Sequence, residues 1–193
     1  VALKRVYAPA VSPDGKWVLY GVTTPEIEKN RSNSDLYLVS IDGSVRKQLT
    51  TSPAADFNGI WSPDGGRIAF LSTRDGAPQI YVISLSGGEA RKVSDMKHGV
   101  SNLSWSPDGK YFAFTSDVKL DETVAERYPD YEKANVRIYD HIPVRHWDEW
   151  NDEMYMHLFI LPADGSGEAR DLMDNERYET PLKPLGGGEQ IAW

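Results

Sequence analysis

Ser12-Pro13-Asp14-Gly15-Lys16 recurs as Ser62-Pro63-Asp64-Gly65-Gly66 and again as Ser106-Pro107-Asp108-Gly109-Lys110. The spacings are 50 and 44 residues, and Trp61 and Trp105 immediately precede the second and third copies. The pentapeptide has the chemistry of a tight turn. Proline holds φ near about −65°, aspartate offers a carboxylate to nearby amides, and glycine takes the positive φ. A second turn recurs in each unit, as Asp42-Gly43, Gly87-Gly88 and Asp164-Gly165.

Between the turns lie short runs rich in β-branched and aromatic residues. The first unit reads as strands Tyr7–Val11, Trp17–Val22, Asp35–Ile41 and Val45–Leu49. The second reads as Phe57–Trp61, Arg67–Ser72, Gln79–Ser84 and Ala90–Val93, and the third as Val100–Trp105, Tyr111–Ser116, His157–Leu161 and Glu168–Leu172. Arg67-Ile68-Ala69-Phe70-Leu71 and Gln79-Ile80-Tyr81-Val82-Ile83 are nearly continuous apolar runs, as expected of strands covered on both faces. Four antiparallel strands per unit of this length predict a β-propeller blade. A β-sandwich would share the turns but not the regular repeat. The fold class expected is therefore all-β, a β-propeller fragment of about three four-stranded blades. Blade 1 covers residues 7–50, blade 2 residues 57–94 and blade 3 residues 100–173, with an insertion at 117–155. Residues 189–193 read as the start of a further blade, with Trp193 in the position of Trp61 and Trp105.

Composition removes several function classes. Asp and Glu outnumber Lys and Arg by 29 to 21, so no basic nucleic-acid surface is expected. There is no cysteine, which excludes disulfides and thiolate chemistry and leaves the compartment open between cytoplasm and periplasm. No apolar run approaches the roughly 20 residues of a membrane helix. Gly186-Gly187-Gly188 is glycine-rich, but a strand rather than a helix is expected after it, so it lacks the helix N-terminus that binds phosphate. No cofactor is expected.

The repeated Ser-Pro-Asp-Gly-Lys resembles the repeat of TolB-type propellers. The insertion carries a narrower resemblance. Val136-Arg137-Ile138-Tyr139-Asp140, then Arg145-His146-Trp147-Asp148-Glu149-Trp150, then His157-Leu158-Phe159-Ile160 is similar to the propeller of the prolyl oligopeptidase family, in its dipeptidyl and acylaminoacyl peptidase branch. That resemblance implies a serine peptidase whose propeller gates and positions short peptides for an α/β-hydrolase domain carrying a Ser-Asp-His triad. No Gly-x-Ser-x-Gly elbow occurs among the 193 residues, so no catalytic residue is assigned. The chain reads as a piece of a longer protein, because propellers close with about four to eight blades. Self-association through the uncovered faces of the first or last unit is expected. A non-catalytic TolB-type propeller that binds another protein is the alternative function.

Strand alternation puts the loops between second and third strands on one face. Two of these are long: Thr23–Ser34, and Asp117–Tyr155. In the second, Asp121–Glu126 reads as a short helix stopped by Pro129, and Asp130 as the cap of another with Tyr131, Ala134 and Ile138 on one side. Ile142–Trp147 and Met154–Leu161 read as a hairpin with Asn151-Asp152 near its tip. The candidate substrate-binding residues are Arg145, Trp147, Asp148, Glu149, Trp150, Asp152 and Glu153. Carboxylates beside aromatic rings suit the ammonium of a peptide N-terminus. A solvated tip with Arg145 paired to Asp148 is the plainer alternative. His141, His146 and Asp148 do not make a metal site: His141 faces away on a regular strand, and no His-Glu-x-x-His or cysteine pair exists.

Overall fold

The computed structural model describes residues 3–86, 88–131, 133, 136–140, 142, 145–146, 149–182 and 186–193. Each Ser-Pro-Asp-Gly copy closes the turn between the first two strands of a sheet, and the serine is its centre. Ser62 Oγ donates to Asp64 Oδ1 at 2.5 Å and accepts the Arg67 amide at 2.9 Å. Ser12 and Ser106 repeat this, donating to Asp14 and Asp108 at 2.6 and 2.7 Å and accepting the amides of Trp17 and Tyr111 at 2.9 Å. All three serines are buried. The turn glycines Gly15, Gly65 and Gly109 lie at φ 70°, 69° and 70°, where a side chain would be strained.

Three four-stranded antiparallel sheets result, each a run of neighbouring strands. The first is β1 (Arg5–Val11), β2 (Trp17–Glu26), β3 (Arg31–Ser40) and β4 (Arg46–Gln48). The second is β5 (Asp56–Trp61), β6 (Arg67–Ser72), β7 (Gln79–Ser84) and β8 (Arg91–Lys92). The third is β9 (Ser101–Trp105), β10 (Tyr111–Lys119), β13 (Met154–Pro162) and β14 (Arg170–Asp171), with β11 (Arg145–His146) and β12 (Glu149–Trp150) paired apart in the insertion. The middle sheet is covered on both sides. Leu19, Leu36 and Leu38 meet Ile68, Phe70, Tyr81 and Ile83 on one face. Ala69, Leu71, Ile80 and Val82 meet Phe112, Phe114, Phe159 and Leu161 on the other. This is why β6 and β7 read as unbroken apolar runs.

The sheets also engage through their first strands. A β-bulge interrupts each, with Ala8, Asn58 and Asn102 left-handed at φ 47°, 51° and 51°. Within the second bulge, a Cβ at Gly59 would lie 3.0 Å from Leu19 and Leu36, so glycine is what lets β5 approach the first sheet. Trp61 Nε1 donates across sheets to the Ala10 carbonyl at 3.0 Å. Asp56, fully buried, is held by the Arg74 guanidinium at 3.0 Å.

Several expectations are corrected. Thr23–Ser34 is not a loop: the β2–β3 ladder runs unbroken to Glu26↔Arg31, and only the turn at Ile27–Asn30 lies outside it. Its hydroxyl residues are polar but β-competent, and Thr23 and Ser34 pair across the ladder at 2.9 Å. In the third sheet the β10–β13 ladder extends to Lys119↔Met154, so Met154–Leu161 does not pair with Ile142–Trp147. The far edge of β13 is taken as well, because Glu179 and Thr180 bond Met156. The insertion hairpin is instead Arg145–His146 on Glu149–Trp150, with Asn151 and Asp152 past its second strand. Trp147 and Asp148 lie outside the described residues, as do Ala134 and His141. The first helix, α1 (Val124–Arg127), starts after a capping box of Thr123 and Glu126. The second expected helix is a 3₁₀ turn at Pro129–Tyr131, and residues 136–139 are irregular. Gly188–Gln190 is likewise a 3₁₀ turn followed by irregular chain, not a strand.

Two predictions follow from the repeat. Alanine is a poor left-handed residue where the other two bulges have asparagine, so Ala8→Asn should stabilise the chain by about 0.5–1 kcal/mol in thermal unfolding. The serine bonds hold the Asp14, Asp64 and Asp108 carboxyls below their ordinary range, and Ser40 and Ser44 bring Asp42 to about 2. A lowered folded-state pKa contributes stability that is full above the unfolded value and lost as pH falls through the folded one. Stability should therefore decline from pH about 4 towards about 2, and Asp64→Asn should flatten that slope in acid titrations followed by circular dichroism.

Candidate functional site

The insertion leaves the third blade at a fixed point. Past the last ladder pair, the amides of Leu120 and Asp121 both donate to the Glu153 carbonyl, at 3.1 and 3.4 Å. Lys119 pairs with Glu126, and that bond together with those from Thr123 brings the Glu126 carboxyl down to about 2. The capped turn α1 is thereby tied back to the end of β10. A cavity of about 490 Å³ opens between this turn, residues 136–140, residues 151–153 and Arg177.

Its walls are held by ion pairs and stacking. Asp121 accepts the Tyr155 hydroxyl at 2.8 Å and the Arg177 guanidinium at 2.9 and 3.0 Å. Burial, and then this bond to Asp121, push the Tyr155 phenol up to about 12. Arg127 pairs with Asp140 at 3.3 Å. Tyr139 donates its hydroxyl to the Asn151 carbonyl at 2.9 Å, and its ring stacks on Trp150 at 6.2 Å. Arg145 covers Trp150 at 5.4 Å. Tyr139 and Arg145 thus fix the hairpin through the half-exposed Trp150 indole. The lining holds the carboxylates Asp121, Glu122, Asp140, Asp152 and Glu153 against Arg127, Arg137 and Arg177, an acidic excess suited to a cation.

The family model of the TolB beta propeller domain matches residues 3–178. The chain belongs to that family. It is 42% identical to a dipeptidyl-peptidase 5 of Porphyromonas gingivalis and 34% identical to one of Porphyromonas endodontalis, over the whole chain and 28% of each relative's length. Among solved structures, the uncomplexed acylaminoacyl peptidase of Pyrococcus horikoshii superposes with a TM-score of 0.65 at 19% identity. That match covers 87% of this chain and 25% of that one. The expected resemblance to peptidase propellers therefore holds, and these relatives are several times longer than this chain.

Within this TolB propeller, the structure divides the residues picked from sequence. Asp152 and Glu153 line the cavity, and Asp152 Oδ1 accepts the Met154 amide at 3.0 Å. Arg145 and Trp150 stand beside it through Tyr139. Trp147 and Asp148 lie outside the described residues, and Glu149 is placed only as a strand position. Sequence reasoning missed Asp121, Arg127, Arg137, Asp140 and Arg177 as cavity residues. Arg177 belongs to no motif and had no sequence signal. It also missed His157. This histidine is fully buried, with Nδ1 2.7 Å from Asp171 Oδ2 and Nε2 2.8 Å from the Glu176 carbonyl. It fastens the segment that carries Arg177. Among the described residues, no group of His, Asp and Glu is arranged to hold a metal.

Because Asp121 raises the Tyr155 phenol by both bond and charge, Asp121→Asn should lower it towards its ordinary value near about 10. Tyrosine Cζ chemical shifts followed through an alkaline titration measure this. An unchanged Tyr155 midpoint would contradict the pairing.

Proposed function

We propose that this chain is the propeller part of a serine peptidase of dipeptidyl or acylaminoacyl type. Its insertion cavity receives and positions the N-terminal end of a short peptide. Hydrolysis belongs to an α/β-hydrolase domain elsewhere in the parent chain, and the propeller gates access to it. The observation that carries this reading is the cavity: an acidic pocket beside an aromatic hairpin, built by the one blade that departs from the repeat.

The peptide's ammonium would sit against Asp152 and Glu153 of the cavity lining, while Arg145, Trp147, Asp148, Glu149 and Trp150 stay candidate contacts from the sequence. A carboxylate–ammonium bond strengthens as neighbouring apolar surface excludes water. Trp193 supports continuation into another blade. Its Nε1 donates to Ser104 Oγ at 3.2 Å, and Ser104 stands two residues before its motif serine, as Ala10 does beneath Trp61. The outward faces of the first and third sheets would then meet further blades, and in the isolated chain they offer a route to self-association.

Asp148→Asn, Glu149→Gln, Asp152→Asn and Glu153→Gln in the full-length enzyme test the reading. At least one should lower kcat/KM for free-amine peptides about tenfold or more, while peptides with a blocked N-terminus change little. Equal effects on both classes would show that the cluster shapes the insertion without reading the amine. Absence of any peptide turnover, with capture of a protein partner instead, would favour the TolB-type binding module.

A further inference from the structure

Three arginines line the insertion cavity, and they are not equivalent. Arg127 is paired with Asp140 and Arg177 with Asp121. Arg137 is exposed and makes no ion pair or hydrogen bond with the described residues. Removing the two internal pairs leaves, among the described residues of the lining, Glu122, Asp152 and Glu153 with one guanidinium. A ligand carrying only an ammonium would satisfy the acidic side but leave Arg137 without an acceptor as water is displaced, which is unfavourable for a charged donor. A ligand carrying a carboxylate as well satisfies both. The guanidinium fork suits that group, since it offers two parallel N–H donors to a carboxylate's two oxygens. Val136 and Ile138 flank it with half-exposed apolar side chains, which suit the aliphatic stem of such a ligand.

We infer that Arg137 is a specificity-determining residue, binding a carboxylate of the peptide whose amine enters the same cavity. The inference rests on the peptide reading above and adds a second charge to the ligand. The carboxylate is either an acidic side chain near the N-terminus or the C-terminus of a very short peptide.

The experiment separates the two sources. Binding to the full-length protein is measured by calorimetry with non-hydrolysable ketomethylene analogues of three peptides: Ala-Glu-Ala amide, Ala-Gln-Ala amide, and Ala-Gln-Ala with a free carboxyl end. Either carboxylate-bearing analogue should bind about tenfold or more tighter than the neutral one. Arg137→Gln should abolish that advantage with an unchanged melting temperature, and the carboxylate that loses it is the one recognised. Arg137→Glu should move the preference to Ala-Lys-Ala amide. Preferences that survive Arg137→Gln, with the peptides still bound, would overturn the role of Arg137 and leave the peptide site standing. Failure of all three analogues to bind the unaltered protein would overturn both.

Discussion

A sheet of four short strands has two broad faces, and the middle sheet of this chain cannot expose either. Its β6 and β7 side chains are apolar on both sides, so the fold depends on stacking sheet against sheet. Burial of this kind is driven by apolar area removed from water, at about 25 cal/mol per Å². Everything else in the repeat serves close approach. Gly59 admits the neighbouring leucines, the bulges at Ala8, Asn58 and Asn102 bend the first strands, and the Trp61 indole ties the second sheet to the backbone of the first. The buried serine of each turn lets the chain reverse at the stack's edge without stranding polar groups.

The insertion follows a different logic. Among its described residues it buries no core cluster of its own, and it is organised by polar contacts anchored to an extended ladder. The β10–β13 pairs carry rigidity out to Lys119 and Met154, and Asp121 takes over from there through Tyr155 and Arg177. Two of the three cavity arginines are spent on this scaffolding. The shape of this wall is set by internal pairs, and Glu122, Arg137, Asp152 and Glu153 line the cavity outside them.

His157 connects the two regimes. It sits on β13 at the end of the apolar stack, fully buried, and holds Asp171 and the Glu176 carbonyl. The residue after Glu176 is Arg177, which reaches the mouth of the insertion. A contact made in the blade interior therefore determines where a cavity residue stands. This is the usual way a rigid scaffold positions a functional loop.

The architecture was legible in the sequence because it is periodic and local. Turn residues at fixed spacing, alternation of strands, and the doubly apolar β6 and β7 each report a constraint that acts within a few residues. TolB-type membership and likeness to peptidase propellers could be read from the same stretches. The tertiary structure decided the rest for a common reason: the deciding partner lay far along the chain. Thr23–Ser34 became ladder because each strand had the other to bond. Met154–Leu161 pairs with β10, which holds β9 on its other edge, and Glu179 and Thr180 bond the far side of the strand. Asp152 and Glu153 were visible as an acidic cluster, but the cavity they face is completed by Asp121 and Arg177, 56 positions apart. No local pattern encodes a pair at that distance; only the folded chain brings it together.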